Sequence, residues 1–217
     1  MNKAARRLPQ GLYLITPDTP DTEALIARVE VALKGEPVML QYRNKCLTGD
    51  AQLEQAAEIR TRCYASGVPF IMNDNLELAV RLDADGVHLG REDGDVSRAR
   101  ARLGGERILG VSCYNEWPLA EAAAAAGADY VAFGAMYPSG TKPGAVAASV
   151  DLLTRARKSL SVGVVAIGGI TLDNAVALVG AGASQLAVIS DVFDAPDPAA
   201  RARAYAQLYA SQSNLSA

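Results

Sequence analysis

Short runs of apolar residues recur along the chain, separated by longer stretches rich in Ala and Leu. The apolar runs predict strands over Leu12–Ile15, Val38–Tyr42, Phe70–Met72, Gly86–Leu89, Ile108–Ser112, Tyr130–Phe133, Val162–Ile167 and Gln185–Ile189. Their hydrophobicity is nearly continuous rather than alternating, the pattern of parallel strands covered on both faces. The stretches between them, among them Asp50–Ser66, Trp117–Ala126 and Asn174–Ala181, predict helices. Gly67, Gly127 and Gly182 follow these three stretches, where a left-handed cap is expected. The run Ala122–Ala126 reads as ordinary helix, because alanine is the best helix former. Eight strands alternating with helices, and no linker-like gap, predict a single α/β domain over residues 1–217. A closed (β/α)8 TIM barrel with short flexible termini is the economical architecture; a doubly wound open sheet is the alternative.

Composition narrows the class. The 217 residues match the length of one such barrel, and half of them are hydrophobic with only 6% aromatic, which suits a core of Val, Ile, Leu and Ala. A net charge of −3 argues against a nucleic-acid surface but leaves room for a local cationic cluster that binds small phosphorylated substrates. The three cysteines (Cys46, Cys63 and Cys113) form no CxxC pair, and the chain has a single histidine, so a zinc site is not expected. No run approaches the roughly 18 apolar residues that span a bilayer, and no signal-like segment opens the chain. The expectation is a cytoplasmic protein that works without a membrane. Barrels of this size are compatible with a homodimer, although no surface stripe marks one.

The polar residues fall where the predicted strands end. Gln41, Arg43 and Lys45 close strand two, Asn73 and Asp74 strand three, and Glu92 and Asp93 follow strand four. Ser112 ends strand five, Ser139–Lys142 follows strand six, Gly168 and Gly169 end strand seven, and Ser190 ends strand eight. In a barrel all of these gather at the carboxyl-terminal rim, where active sites lie. Asp74 and Asp93 offer hard oxygen donors that suit Mg2+, with Glu92 a rival ligand. The competing role for each aspartate is to cap the following helix. Gln41, Arg43 and Lys45, two apart on an extended segment, would form a polar row on one side, suited to gripping phosphate.

Two loops could cradle anions. Residues 137–144 carry hydroxyls, glycines and Lys142, a composition able to surround a diphosphate but common in surface turns. Residues 165–171, Val-Ala-Ile-Gly-Gly-Ile-Thr, resemble the barrel phosphate site after strand seven, with Ser190 able to complete it. Thr171 capping a tight turn fits equally. His88 reads as a hydrogen-bonded core residue and Trp117 as packing.

Taken in order, these segments resemble the thiamine phosphate synthase family. The matching stretches are GLYLITPD at 11–18, QYRNK at 41–45, IMNDN at 71–75, DADGVHLGRED at 83–93, GVSCYN at 110–115, GADYVAFGAMYPSGTKP at 127–143, VVAIGGIT at 164–171 and LAVISDVF at 186–193. The resemblance implies a transferase that joins a hydroxymethylpyrimidine diphosphate to a thiazole phosphate, releasing diphosphate. It implies that Gln41, Arg43, Lys45 and Asn73 contact the pyrimidine diphosphate and that Ser112 and Lys142 contact its diphosphate. Asp74 and Asp93 match the family's Mg2+ ligands, and Ser139, Thr141, Gly169, Ile189 and Ser190 match the positions that hold the thiazole phosphate. Arg43, Lys45 and Lys142 are then the catalytic cations that stabilise the leaving anion. The chain departs from the family's pattern at Ser139, where threonine is expected, and at Cys113 and Tyr114, which replace Thr-His. The stretch Gly144–Ser149 is also unusually small and apolar.

Three other readings compete. A related thiazole tautomerase relies on a histidine near the end of strand five, where this chain has Tyr114. A non-catalytic barrel that only binds thiamine intermediates and acts on a partner would keep many of the same residues, but the Mg2+ ligands and leaving-group contacts together speak against it. An aldolase or epimerase would need a Schiff-base lysine or an acid–base pair inside the barrel, and no convincing set is present.

Overall fold

The structure is a computed structural model, and it describes residues 8–138 and 146–213. Eight parallel strands close into a barrel in chain order: β1 Gly11–Ile15, β2 Met39–Tyr42, β3 Phe70–Asn73, β4 Gly86–Leu89, β5 Ile108–Tyr114, β6 Tyr130–Phe133, β7 Gly163–Ile167 and β8 Gln185–Val188. Helices lie between consecutive strands, and the helix Pro198–Ser213 follows the last of them. The open-sheet alternative is excluded by the pairing of β1 with β8.

Residue alternation explains why the strand runs read as continuously apolar. Side chains at every second position, including Tyr13, Met39, Ile71, Ile108, Tyr130, Val165 and Ala187, meet inside the barrel. Their neighbours, among them Leu14, Leu40, Phe70, Val87, Val131, Val164 and Leu186, pack outward into the helix layer. Both faces are therefore dry, and each fully buried Val, Leu or Ile contributes about 1.5–3 kcal/mol. Gly67, Gly127 and Gly182 adopt positive φ at the ends of their helices, as expected.

The rim differs from the expected arrangement at three places. β2 stops at Tyr42 as expected, but the chain bends there, so Arg43 and Lys45 lie in the turn beyond it rather than continuing an extended row with Gln41. The Thr16 hydroxyl explains the bend: it accepts from the Arg43 backbone N–H at 2.9 Å and donates to the Arg43 carbonyl at 2.8 Å. β5 continues two residues past Ser112 to Tyr114, with a register shift between them, so Ser112 lies within the strand. Ser190 opens a short helical turn, Ser190–Phe193, rather than ending β8.

Candidate active site

At the carboxyl-terminal rim the strands and their following loops enclose a cavity of about 1180 Å³. Single-ligand pockets commonly hold roughly 300–1000 Å³, so this space suits two small molecules side by side. Gln41, Arg43, Lys45, Asn73, Asp74, Asp93, Ser112, Gly169, Ile189 and Ser190 all line it, as does Glu92. Ser139, Thr141 and Lys142 lie outside the described residues.

The acidic pair sits on adjacent strand ends. Asp74 follows β3 with φ 62°, a left-handed conformation that Asp tolerates better than most residues, and its backbone N–H donates to the His88 carbonyl at 2.8 Å. Asp93 lies in the loop after β4, where its Oδ2 accepts from the Gly90 N–H at 2.7 Å. Neither caps a helix. Asn75 caps Leu76–Arg81 by accepting from the Leu78 N–H, and Asp95 caps Val96–Leu103 by accepting from the Arg98 N–H. The two carboxylates are thus left for the cavity.

Their titration reflects crowding. Burial alone raises a carboxyl, but at Asp74 it is outweighed by the hydrogen bond from Lys45 and by Asp93, and the pKa is held below its ordinary value. At Asp93, burial and then the Asp74 carboxylate push the pKa up against the Gly90 donor. Two carboxylates whose pKa values are driven apart form an anionic pair that a cation relieves. Lys45 supplies one positive charge, with its Nζ 2.5 Å from Asp74 Oδ2. Among the described residues no group of three or more His, Cys, Asp or Glu side chains is arranged to hold a metal.

Arg43, which lines the same cavity, is fixed by a residue outside the predicted site. Asp18, three residues past β1, accepts from Arg43 Nη1 at 2.5 Å and from the Lys45 backbone N–H at 2.9 Å. Its place just past a strand end could be read in the sequence, but its pairing with Arg43 could not. Replacing Asp18 with Ala should free Arg43 and loosen the turn, lowering kcat/KM by about 10-fold to 100-fold at unchanged fold. Steady-state kinetics beside a thermal melt would check it, and wild-type kinetics would remove Asp18 from the site.

The turn after β7 is shaped by close backbone approach. A Cβ on Gly169 (φ 61°) would stand 2.4 Å from the Pro138 carbonyl oxygen and 2.7 Å from that of Tyr137. Only glycine fits there. Asn174 braces the turn, its Nδ2 donating to the Gly169 carbonyl at 3.0 Å and its Oδ1 accepting from the Thr171 N–H at 2.9 Å. A Gly169→Ala chain should push the 134–138 loop off this turn and raise the KM for a phosphorylated substrate by about tenfold or more. An unchanged KM would mean that the close approach does not shape the site.

His88 is buried and hydrogen-bonded, as expected, yet it also lines the cavity. Burial pushes the Cys63 and Cys113 thiols up to about 12, which keeps both unreactive. Trp117 is buried under the Arg155 guanidinium, 3.9 Å from its ring centre, a packing role. Tyr114 stands at the rim with positive φ, and the Arg91 guanidinium lies over its ring.

Residues 12–192 match the model of the thiamine monophosphate synthase family. The chain belongs to that family. It is 63% identical over 200 residues to the thiamine-phosphate synthase of Aromatoleum aromaticum strain EbN1, covering 92% of this chain and 96% of that protein. It is 60% identical over 201 residues to the thiamine-phosphate synthase of Azoarcus sp. strain BH72, covering 93% and 98%. A thiamine phosphate pyrophosphorylase from Pyrococcus furiosus superposes with a TM-score of 0.82 at 30% identity, covering 93% of this chain and 96% of that one. The activity class is therefore that of a transferase, thiamine-phosphate synthase (EC 2.5.1.3). Among the described residues no helix is long and apolar enough to cross a membrane.

Proposed function

We propose that this chain, acting as one barrel unit over residues 1–217, joins 4-amino-2-methyl-5-hydroxymethylpyrimidine diphosphate to 4-methyl-5-hydroxyethylthiazole phosphate. The products are thiamine phosphate and diphosphate. The observation that carries this reading is the convergence of the anionic pair Asp74–Asp93, the cations Arg43 and Lys45, and the Gly168–Gly169 turn on one cavity. Its volume leaves room for both substrates.

Gln41, Arg43, Lys45 and Asn73 bind the pyrimidine diphosphate, with Ser112 on its diphosphate. Gly169, Ile189 and Ser190 hold the thiazole phosphate beside it, and Ser139, Thr141 and Lys142 complete both subsites. The donor chemistry of Asp74 and Asp93, two oxygen ligands released from capping and crowded together, fits Mg2+, with exposed Glu92 near enough in sequence to assist. When bound there, Mg2+ neutralises charge on the diphosphate.

The bond between the methylene carbon and the diphosphate oxygen breaks first, and the oxygen leaves with the electron pair. The pyrimidine amino group donates electrons toward the methylene carbon, and the thiazole nitrogen lone pair then forms the new C–N bond. Arg43, Lys45 and Lys142 stabilise the departing anion, while the two subsites align carbon and nitrogen. The reaction needs no protein nucleophile, in keeping with the inert buried thiols.

The test mixes purified protein, both substrates and Mg2+ and follows thiamine phosphate and diphosphate. Equimolar products that require both substrates and vanish with a chelator are expected. Binding of a substrate without any product would favour the silent binder, and conversion of a thiazole precursor alone would favour the tautomerase. The two carboxylates and the absence of histidine at Tyr114 weigh against both. The chain is expected to act in the cytoplasm, and a homodimer is compatible with this function.

A further inference from the structure

Five side chains from five strands or strand ends are linked across the barrel floor beneath the cavity. Gln41 Nε2 donates to the Tyr13 hydroxyl at 2.8 Å, and the Tyr13 and Tyr130 hydroxyls are 2.7 Å apart. The Tyr130 hydroxyl is 2.9 Å from His88 Nδ1, and His88 Nε2 is 2.8 Å from Ser112 Oγ. Gln41 and Ser112, the two ends, both line the cavity. The middle three take no direct part in the reaction described above.

We propose that Tyr13, Tyr130 and His88 are positioning residues that form a one-way hydrogen-bond relay, fixing a carbonyl acceptor at Gln41 and a hydroxyl donor at Ser112. The inference rests on the reading of the cavity as the diphosphate-transfer site.

The direction follows from donor counting. Tyr13 accepts from Gln41 Nε2, so its single proton goes to the Tyr130 oxygen. Tyr130 then has only its own proton to offer, and donates it to His88 Nδ1. That nitrogen must be unprotonated, so the neutral ring carries its proton on Nε2 and donates to Ser112 Oγ. The Ser112 proton is left to point into the cavity, as an anionic leaving group requires. At the other end the Gln41 amide, with Nε2 committed to Tyr13, presents Oε1, an acceptor suited to an amino group on a heterocycle.

The surroundings are built for this arrangement. Tyr13 and Tyr130 are fully buried, and desolvation raises both phenols far above their ordinary pKa, so each keeps its one proton. The Tyr130 ring stacks on His88 at 17° and meets Tyr13 edge-on at 86°. Gly110, in β5, leaves the space that the phenol occupies: a Cβ there would lie 1.9 Å from Tyr130 Cζ and 2.2 Å from its hydroxyl oxygen.

His88 is the chain's single histidine, so histidine-specific 15N labelling of the full-length protein reports on it alone. At neutral pH, without substrate, the relay predicts a pyridine-type Nδ1 and a pyrrole-type Nε2. Tyr130→Phe should remove the bias to that tautomer and lower kcat by about 10-fold to 100-fold, through the loss of a set donor at Ser112. Tyr13→Phe should raise the KM for the pyrimidine diphosphate by about tenfold by releasing the Gln41 amide, and, because Tyr130 then has no donor to set its direction, should weaken the same tautomer bias. A proton on Nδ1, or on both nitrogens, in the wild-type protein would overturn the relay, and so would a tautomer indifferent to Tyr130→Phe. The wild-type spectrum needs no substituted chain to fold. Since it needs no substrate either, a relay tautomer in a protein without turnover would refute the proposed reaction and leave the relay standing.

Discussion

Replacing Asp74 with Ala should lower kcat/KM by about 100-fold to 1000-fold, the range seen when one preorganised electrostatic contact to a developing anion is lost. Asp74 stands at the centre of the charged site. It faces Asp93, it is held by Lys45 at 2.5 Å, and no helix uses it as a cap. Its removal would leave one carboxylate for the cation and would release Lys45, so two of the charges aimed at the diphosphate are disturbed together. The residue adopts a positive φ, where Ala is strained, so Asp74→Ala disturbs the backbone as well as the charge. Asp74→Asn separates the two causes, because Asn tolerates this conformation and removes only the charge. Both chains should need much more Mg2+ for half-maximal rate, with melting temperatures close to wild type for Asn. An Asn chain with normal kinetics and normal Mg2+ dependence would remove Asp74 from the metal site.

The largest expected effect on stability lies below the barrel, at Asp129. This residue precedes β6 and is almost fully buried, with one side-chain oxygen accepting from Arg100 Nη2 at 2.5 Å and from the Leu109 N–H at 2.8 Å. Arg100 is itself mostly buried and also donates to the backbone carbonyls of Gly104, Arg107 and Gly127. Asp129→Ala leaves a buried guanidinium without its counter-charge and an amide without its acceptor. Breaking a buried pair from one side costs about 3–5 kcal/mol. For a domain of this size, each kcal/mol shifts Tm by roughly 2–4 °C. Thermal melts should therefore show a fall of roughly 6–20 °C. A change under 2 °C would mean that water compensates the pair and that β5 and β6 do not depend on it.

The barrel was legible because each strand buries both faces, and the rim because polar residues gather at or just beyond the carboxyl ends of the apolar runs. Ten of the thirteen residues expected at the site line the cavity, and the other three, Ser139, Thr141 and Lys142, lie outside the described residues. What could not be read was pairing across the chain. Asp18 lies 25 residues from Arg43, and nothing in either neighbourhood announces that they meet. Tyr13 and Tyr130, 117 residues apart, read as ordinary apolar strand residues, since a phenol in a buried strand has the periodicity of Phe. The bend after Tyr42 also escaped, because the Thr16 hydroxyl that makes it belongs to the neighbouring strand end. The two roles open to Asp74 and Asp93 could be separated only once the caps were found at Asn75 and Asp95.

A crystal structure of the protein with thiamine phosphate, diphosphate and Mn2+ in place of Mg2+ tests the account most directly. Anomalous scattering should place the metal between Asp74 and Asp93, with diphosphate against Arg43 and Ser112 and the thiazole phosphate on the Gly168–Gly169 turn. Metal bound elsewhere, or products outside this rim, would contradict it.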